Sequence, residues 1–186
     1  MVLGIAGSGR KNGNSSRLLA AALAGAEAAG LGPQRLFALA ERSFQGCLGC
    51  RCCREGADAC VLRDDLTEVL EATARADAVV LATPIYYGYA TGLFKSYLDR
   101  WYAFRDPERR LRVAPKRPAL LLLTQGNPDA AAYSWTRQSL EKVLVAYGLH
   151  PSTLVGPSLN DPTALLAAPE LLARARSLGA ALAKGV

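Results

Sequence analysis

The chain begins with a short apolar run, Val2 to Ala6, then a polar loop, Gly7-Ser8-Gly9-Arg10-Lys11-Asn12-Gly13-Asn14-Ser15-Ser16, then an alanine- and leucine-rich segment from Arg17 to Ala29. An apolar run too short for a helix, a glycine-punctuated loop and a helix-favouring segment read as strand, loop, helix. A chain that starts this way is steered toward a parallel sheet with crossover helices. The loop carries three glycines, three hydroxyls, two asparagines and two cations. At a helix N-terminus these donors lie in the positive field of the helix dipole, so a phosphate is the expected ligand. The loop lacks both Gly-x-Gly-x-x-Gly and a Gly-Lys-Ser/Thr ending, which favours a monophosphate over a dinucleotide or a triphosphate.

The same alternation continues along the chain. Strands are expected at Val2 to Ala6, Gln34 to Ala38, Ala78 to Ala82, Ala119 to Thr124 and Ser152 to Val155. Helices are expected at Ser15 to Ala29, Asp64 to Ala74, Thr91 to Trp101, Ala130 to Tyr147 and Asp161 to Lys184, the last with Asp161 as cap and Pro162 in its first turn. The expected fold is therefore α/β, a five-stranded parallel sheet with helices on both faces, forming one domain over residues 1–186. No stretch reaches the roughly 18 apolar residues of a membrane span, and the start lacks the order of a signal peptide. A cytoplasmic protein is expected.

The five cysteines all fall in one irregular stretch, Glu41 to Arg63. Cys47, Cys50, Cys53 and Cys60 are separated by two, two and six residues, with Cys52 as the extra thiol. Such crowding suits metal or redox chemistry in a reducing compartment more than a disulfide frame. A [4Fe–4S] cluster, reduced thiols without metal and a structural zinc site all fit the pattern.

The net charge of +6 comes mostly from dispersed residues, the exception being Arg105, Arg109, Arg110, Arg112, Lys116 and Arg117. That group reads as solvated surface, with a 2′-phosphate contact as the functional alternative. No basic stretch is interleaved with base-stacking aromatics, so nucleic acid is not an expected partner.

Ligands of parallel sheets sit beyond the carboxyl ends of the strands, where strand order reverses. Besides the first loop, this picks out Thr83-Pro84-Ile85-Tyr86-Tyr87-Gly88-Tyr89-Ala90-Thr91-Gly92 after the third strand and Thr124-Gln125-Gly126-Asn127-Pro128-Asp129 after the fourth. The tyrosines supply planar apolar surface, so a flat ring with polar edges would fit beside the phosphate. His150, the sole histidine, falls at the start of the last strand, away from this edge, and reads as structural or surface. The segment from Thr91 to Tyr102 carries more large aromatics than one core-facing stripe requires, which predicts a subunit contact, with core packing as the alternative.

The first loop, the Cys-x-x-Cys-x-x-Cys block, Asp64-Asp65-Leu66 and the run from Thr83-Pro84-Ile85-Tyr86-Tyr87-Gly88 through Lys95 to Asp99-Arg100 together resemble the flavodoxin-like NAD(P)H-dependent FMN reductase family, over most of residues 1 to 130. The cysteine motif before the Asp-Asp helix resembles the iron–sulfur flavoprotein branch. The resemblance implies FMN, with its phosphate on Ser8, Arg10, Asn14, Ser15 and Ser16 and its isoalloxazine on Pro84, Ile85, Tyr86, Tyr87 and Gly88. Gln125 and Gly126 would touch the ring from the third loop. Gly9 departs from the pattern, since relatives often have proline there. The resemblance further implies NAD(P)H as co-substrate, a quinone, free flavin or other electron acceptor, a homodimer or homotetramer, and Cys47, Cys50, Cys53 and Cys60 as ligands of a [4Fe–4S] cluster. Hydride chemistry on FMN needs no acid or base from the chain, so no catalytic side chain is expected beyond Tyr87 as a ring contact. An electron-carrying flavodoxin that does not react with nicotinamide is the alternative, less suited to a basic chain; an anion-binding module without redox work is a third reading.

Overall fold

The central strands are apolar at nearly every position because both of their faces are covered. In the computed structural model, which describes residues 1–184, β1 (Val2–Ala6), β3 (Ala78–Tyr86) and β5 (Arg117–Thr124) are buried almost throughout. β2 (Gln34–Ala38) lies at one edge and β6 (Leu149–Gly156) at the other, giving the order β2-β1-β3-β5-β6 with all of these pairs parallel. A two-residue strand, β4 (Tyr89–Ala90), pairs antiparallel with the end of β3. The flavodoxin-like architecture expected from the sequence is thus observed, with this hairpin added.

Side-chain alternation along the strands divides the core in two. One face carries Leu3, Ile5, Val79, Leu81, Leu121 and Leu123 against α2 (Leu66–Arg75), α3 (Gly92–Arg100) and α4 (Ser134–Ala146). The other carries Val2, Val80, Leu120 and Leu122 against α1 (Asn14–Ala28) and α5 (Pro169–Ala181). Helices α1 and α5 meet backbone to backbone: a Cβ on Gly25 would overlap the carbonyl of Arg176, and one on Gly179 the carbonyl of Ala22.

Three expectations are corrected. The last helix begins at Pro169, not at Asp161; Asp161 instead accepts from Thr163 N at 2.7 Å in a turn that leads to a short 3-10 segment, Ala164–Ala167. The helix after β5 starts at Ser134, since Asn127 and Asp129 accept from nearby backbone N–H groups and hold residues 127–133 in turns. The aromatics Phe94, Tyr97, Trp101 and Phe104 pack inward on one another rather than outward, with Tyr97 and Trp101 rings edge to face at 5.4 Å, and Tyr102 alone of this group is exposed.

Candidate functional site

The loops after β1, β3 and β5 converge at the carboxyl edge of the sheet around a cavity of about 190 Å³. Ser8, Arg10, Gly13, Asn14 and Ser15 form one end of its wall. Helix α1 starts there without a side-chain cap and without an acidic residue in its first turn. Its first N–H groups have no intrahelical acceptors and carry the positive end of the dipole, which suits an anion. Ser15 Oγ lies 2.8 Å from Thr124 Oγ1, locking the helix start to the end of β5. Ser8 Oγ accepts from Arg10 N at 3.1 Å and shapes the loop.

Asn14 departs from the role implied for it. Its Nδ2 donates to the carbonyls of Leu159 and Asp161, at 3.2 and 2.7 Å, and its Oδ1 accepts from Leu165 N at 3.2 Å. The whole amide is spent on fixing the 159–165 segment, so what Asn14 offers an anion is its backbone N–H. Ser16 lies off the cavity wall, its hydroxyl donating to Arg10 O at 3.4 Å.

Pro84, Ile85, Tyr86, Gln125 and Gly126 form the other end of the wall. Gln125 is 3% exposed; its Nε2 donates to Asn127 O and Asp129 O at 3.2 and 2.7 Å, and its buried Oε1 has no partner in the chain. A buried acceptor left open is costly and calls for a donor. The cavity therefore has N–H donors at one end and, at the other, a wall residue whose buried acceptor is unmet, which suits a phosphate joined to a ring with a polar edge. Asn160 packs its side chain against Gly126, where a Cβ would displace it. Asn160, Leu159, Thr124 and Gly13 also line the cavity and were not singled out from sequence. Thr124 sits within a motif already noted, but Leu159 and Asn160 arrive from a distant segment with no local signal.

Tyr87 and Gly88 form the turn of the β3–β4 hairpin, both with positive φ, 49° and 84°. This geometry matches the twist of a two-residue hairpin and turns Tyr87 fully outward, so neither residue lines the cavity. The hairpin is braced by Thr136, whose hydroxyl donates to Gly88 O, and by Trp135, whose ring lies 5.7 Å from that of Tyr89. Trp135, which the sequence did not mark, is 56% exposed. The basic group at 105–117 feeds β5 at its amino end, the edge opposite the cavity, and Arg117 is buried, donating to the carbonyls of Thr73, Ala74 and Ala76. This placement removes the 2′-phosphate role considered for the group. His150 is an exposed residue at the amino end of β6.

The cysteine loop leaves the same carboxyl edge after β2 and packs along α3. Cys47, Cys50, Cys53 and Cys60 line one small cavity with Arg51 and Arg100; Cys52 does not. Burial pushes the Cys53 thiol up, and charge on Cys60, Cys47 and Cys50 adds to the effect. Hydrogen bonds from the backbone N–H and thiol of Cys52 lower Cys50. Among the described residues no three His, Cys, Asp or Glu side chains are grouped to hold a single metal ion, and what the four cysteines share is the lining of this cavity. A donor set of four thiols around one space is the kind that holds an iron–sulfur cluster. The two ends of the loop are tied to Arg100, whose Nη1 donates to Gln45 O at 3.0 Å and to Asp64 Oδ2 at 2.9 Å, and whose Nη2 donates to Leu62 O at 3.3 Å and Asp64 Oδ1 at 3.4 Å. At the other end of α3, Thr91 caps the helix by accepting from Phe94 N and donates to Gly7 O in the first loop. The two cavities share no lining residue.

A family model described as NADPH-dependent FMN reductase matches residues 1–159. An iron-sulfur flavoprotein of Methanocaldococcus jannaschii is 33% identical over 168 residues, 88% of this chain and 78% of that protein. Another, from Archaeoglobus fulgidus, is 38% identical over 98 residues, 53% of this chain but only 44% of the relative's length. Among solved structures, an NAD(P)H:quinone oxidoreductase from Methanothermobacter marburgensis superposes with a TM-score of 0.73 at 20% identity, covering 97% of this chain and 98% of its own, a likeness of fold.

Proposed function

The chain belongs to the NADPH-dependent FMN reductase family, in its iron-sulfur flavoprotein branch, and from that premise we propose that it is an FMN-dependent oxidoreductase taking hydride from NAD(P)H and passing electrons to a quinone, a free flavin or another acceptor. The observation that carries this reading is Gln125, a residue of the cavity wall whose buried Oε1 has no partner in the chain, in a cavity whose far end is an uncapped helix N-terminus. Bound FMN supplies hydride acceptance and release at its ring.

The chain's own residues supply position and field. The first N–H groups of α1 with Ser8, Arg10 and Ser15 would hold the phosphate end, and Pro84, Ile85 and Tyr86 would bound the ring. Gln125, through its open acceptor, and the backbone around Gly126 would hold the polar edge of the ring. No side-chain acid or base is needed there. Because donor and acceptor would share one open ring face in turn, ping-pong kinetics are expected.

Cys47, Cys50, Cys53 and Cys60 are proposed to hold a [4Fe–4S] cluster, which would supply one-electron steps beside the two-electron chemistry of the flavin. Support comes from their shared cavity, from which Cys52 is absent. We further propose a homodimer or homotetramer, supported by the exposed Tyr86, Tyr87 and Trp135 about the hairpin.

Purification without oxygen, followed by flavin extraction, absorption spectroscopy and analysis of iron and acid-labile sulfide, tests these assignments together. The expected result is a brown protein with about one FMN per chain, bleached rapidly by NADH or NADPH. Flavin that stays oxidised under both nicotinamides would reassign the protein as an electron carrier, and a preparation that neither contains nor takes up FMN would leave only an anion-binding module. A yellow, iron-free protein would discard the cluster while leaving the flavin reading intact.

A further inference from the structure

Arg100 is 1% exposed and stands in the wall of the cysteine cavity. A guanidinium has five N–H donors in a fixed fork. The two Nη groups spend theirs on Gln45 O, Leu62 O and both oxygens of Asp64, whereas the buried Nε has no partner in the chain. Leaving a charged donor buried and unmet is expensive, and the four satisfied donors fix the fork so that it cannot rotate away. Arg100 borders both the cysteine cavity and a neighbouring one lined by Thr67, Leu70 and Phe104, so an acceptor held among the cysteines would meet the open donor from one side.

We propose that Arg100 is a positioning residue for the cysteine site, its Nε–H donating to a sulfur of the cluster, and that this bond, with the buried charge, raises the reduction potential. The inference rests on the cluster reading given above. Four thiolates bring excess negative charge to a site with apolar walls of Leu48, Val61 and Ala103, and Asp64 balances Arg100 from the other side of the fork. Hydrogen bonds to sulfur and local charge are established determinants of such potentials. The same fork grips the chain just before Cys47 and just after Cys60, so one side chain would set both the shape of the loop and the energy of the electron it holds.

The test is an EPR-monitored redox titration of the anaerobically prepared holoprotein and of Arg100→Lys, which keeps the charge but loses the Nε donor. The expected result is equal iron and sulfide content and a reduction equilibrium weakened about tenfold, about 59 mV for a one-electron couple. If Arg100→Lys loses the cluster, the decisive measurement is made on protein carrying arginine labelled with 15N at Nε, in an Arg51→Lys background because Arg51 also borders the cavity. Hyperfine coupling of that nitrogen to the reduced cluster is expected. A wild-type protein without iron and sulfide sinks the cluster reading and this inference with it; a loaded wild type without the coupling, or a loaded Arg100→Lys with unchanged potential, sinks the role of Arg100 alone.

Discussion

Two neighbouring tyrosines carry opposite consequences. Tyr86 is part of the cavity wall, while Tyr87 adopts a left-handed φ of 49° at the hairpin tip and touches nothing there. A non-glycine residue in that region stores roughly 1 kcal/mol or more. Tyr87→Asn, which tolerates the conformation, is expected to stabilise the protein by about 0.5–1 kcal/mol in thermal melts while leaving FMN retention unchanged; Tyr86→Ala is expected to release FMN more readily on gel filtration. Gln125→Leu removes the open acceptor, and flavin titration should show FMN affinity lower by about 1–3 kcal/mol. Retention equal to wild type in both Tyr86→Ala and Gln125→Leu would place the ring elsewhere.

At the level of elements, the cysteine loop is suspended from the C-terminal end of α3 by one buried ion pair. Burial works to raise the Asp64 pKa, but hydrogen bonds from Arg100 and from the backbone of Gln45 and Leu66 prevail and hold it below the usual carboxylate range. A carboxyl depressed in the folded state contributes stability at any pH above its unfolded value and loses it as pH falls through the folded value. The contribution is thus intact at neutral pH and fades below about pH 4. Asp64→Asn should cost about 3–5 kcal/mol at neutral pH, and urea denaturation at stepped pH should show a shallower acid loss than in wild type. On the opposite face of the sheet, the crossing of α1 and α5 leaves no space for a side chain, so Gly179→Ala is expected to destabilise by about 1–3 kcal/mol or more, read as a lower urea midpoint.

Across the whole molecule, α3 is the physical link between the two candidate centres. Thr91 at its start bonds the first loop and Arg100 at its end bonds the cysteine loop, over nine residues or about 13 Å. The aromatic stripe of this helix faces Trp101, Phe104 and the sheet, which makes it a rigid spacer and removes it as an outward contact surface. The proposed oligomer would then use other apolar surface, for which the exposed Trp135 and Tyr87 are the candidates. Light scattering is expected to give a mass of at least twice 19.7 kDa for wild type and a smaller one for Trp135→Glu; a monomeric wild type would remove the assembly.

The strand periodicity, the three ligand-edge loops and the spacing of the thiols were legible in the amino-acid order, because each is a local pattern of apolar, glycine and donor residues. That is why β1, β2, the parallel sheet and most of the cavity wall could be expected from the sequence, whereas the strand order could not. What was not legible depended on partners remote in sequence. Asn14 reads as a phosphate donor until the 159–165 segment, some 145 residues away, is seen to consume its amide. Tyr87 reads as a ring contact until the hairpin turns it outward, and the aromatics of α3 read as an interface until their burial is seen. Arg100 stood in the sequence only as the end of a motif run; packing alone, by denying water to five donors while supplying acceptors for four, made it a group with something left to bind.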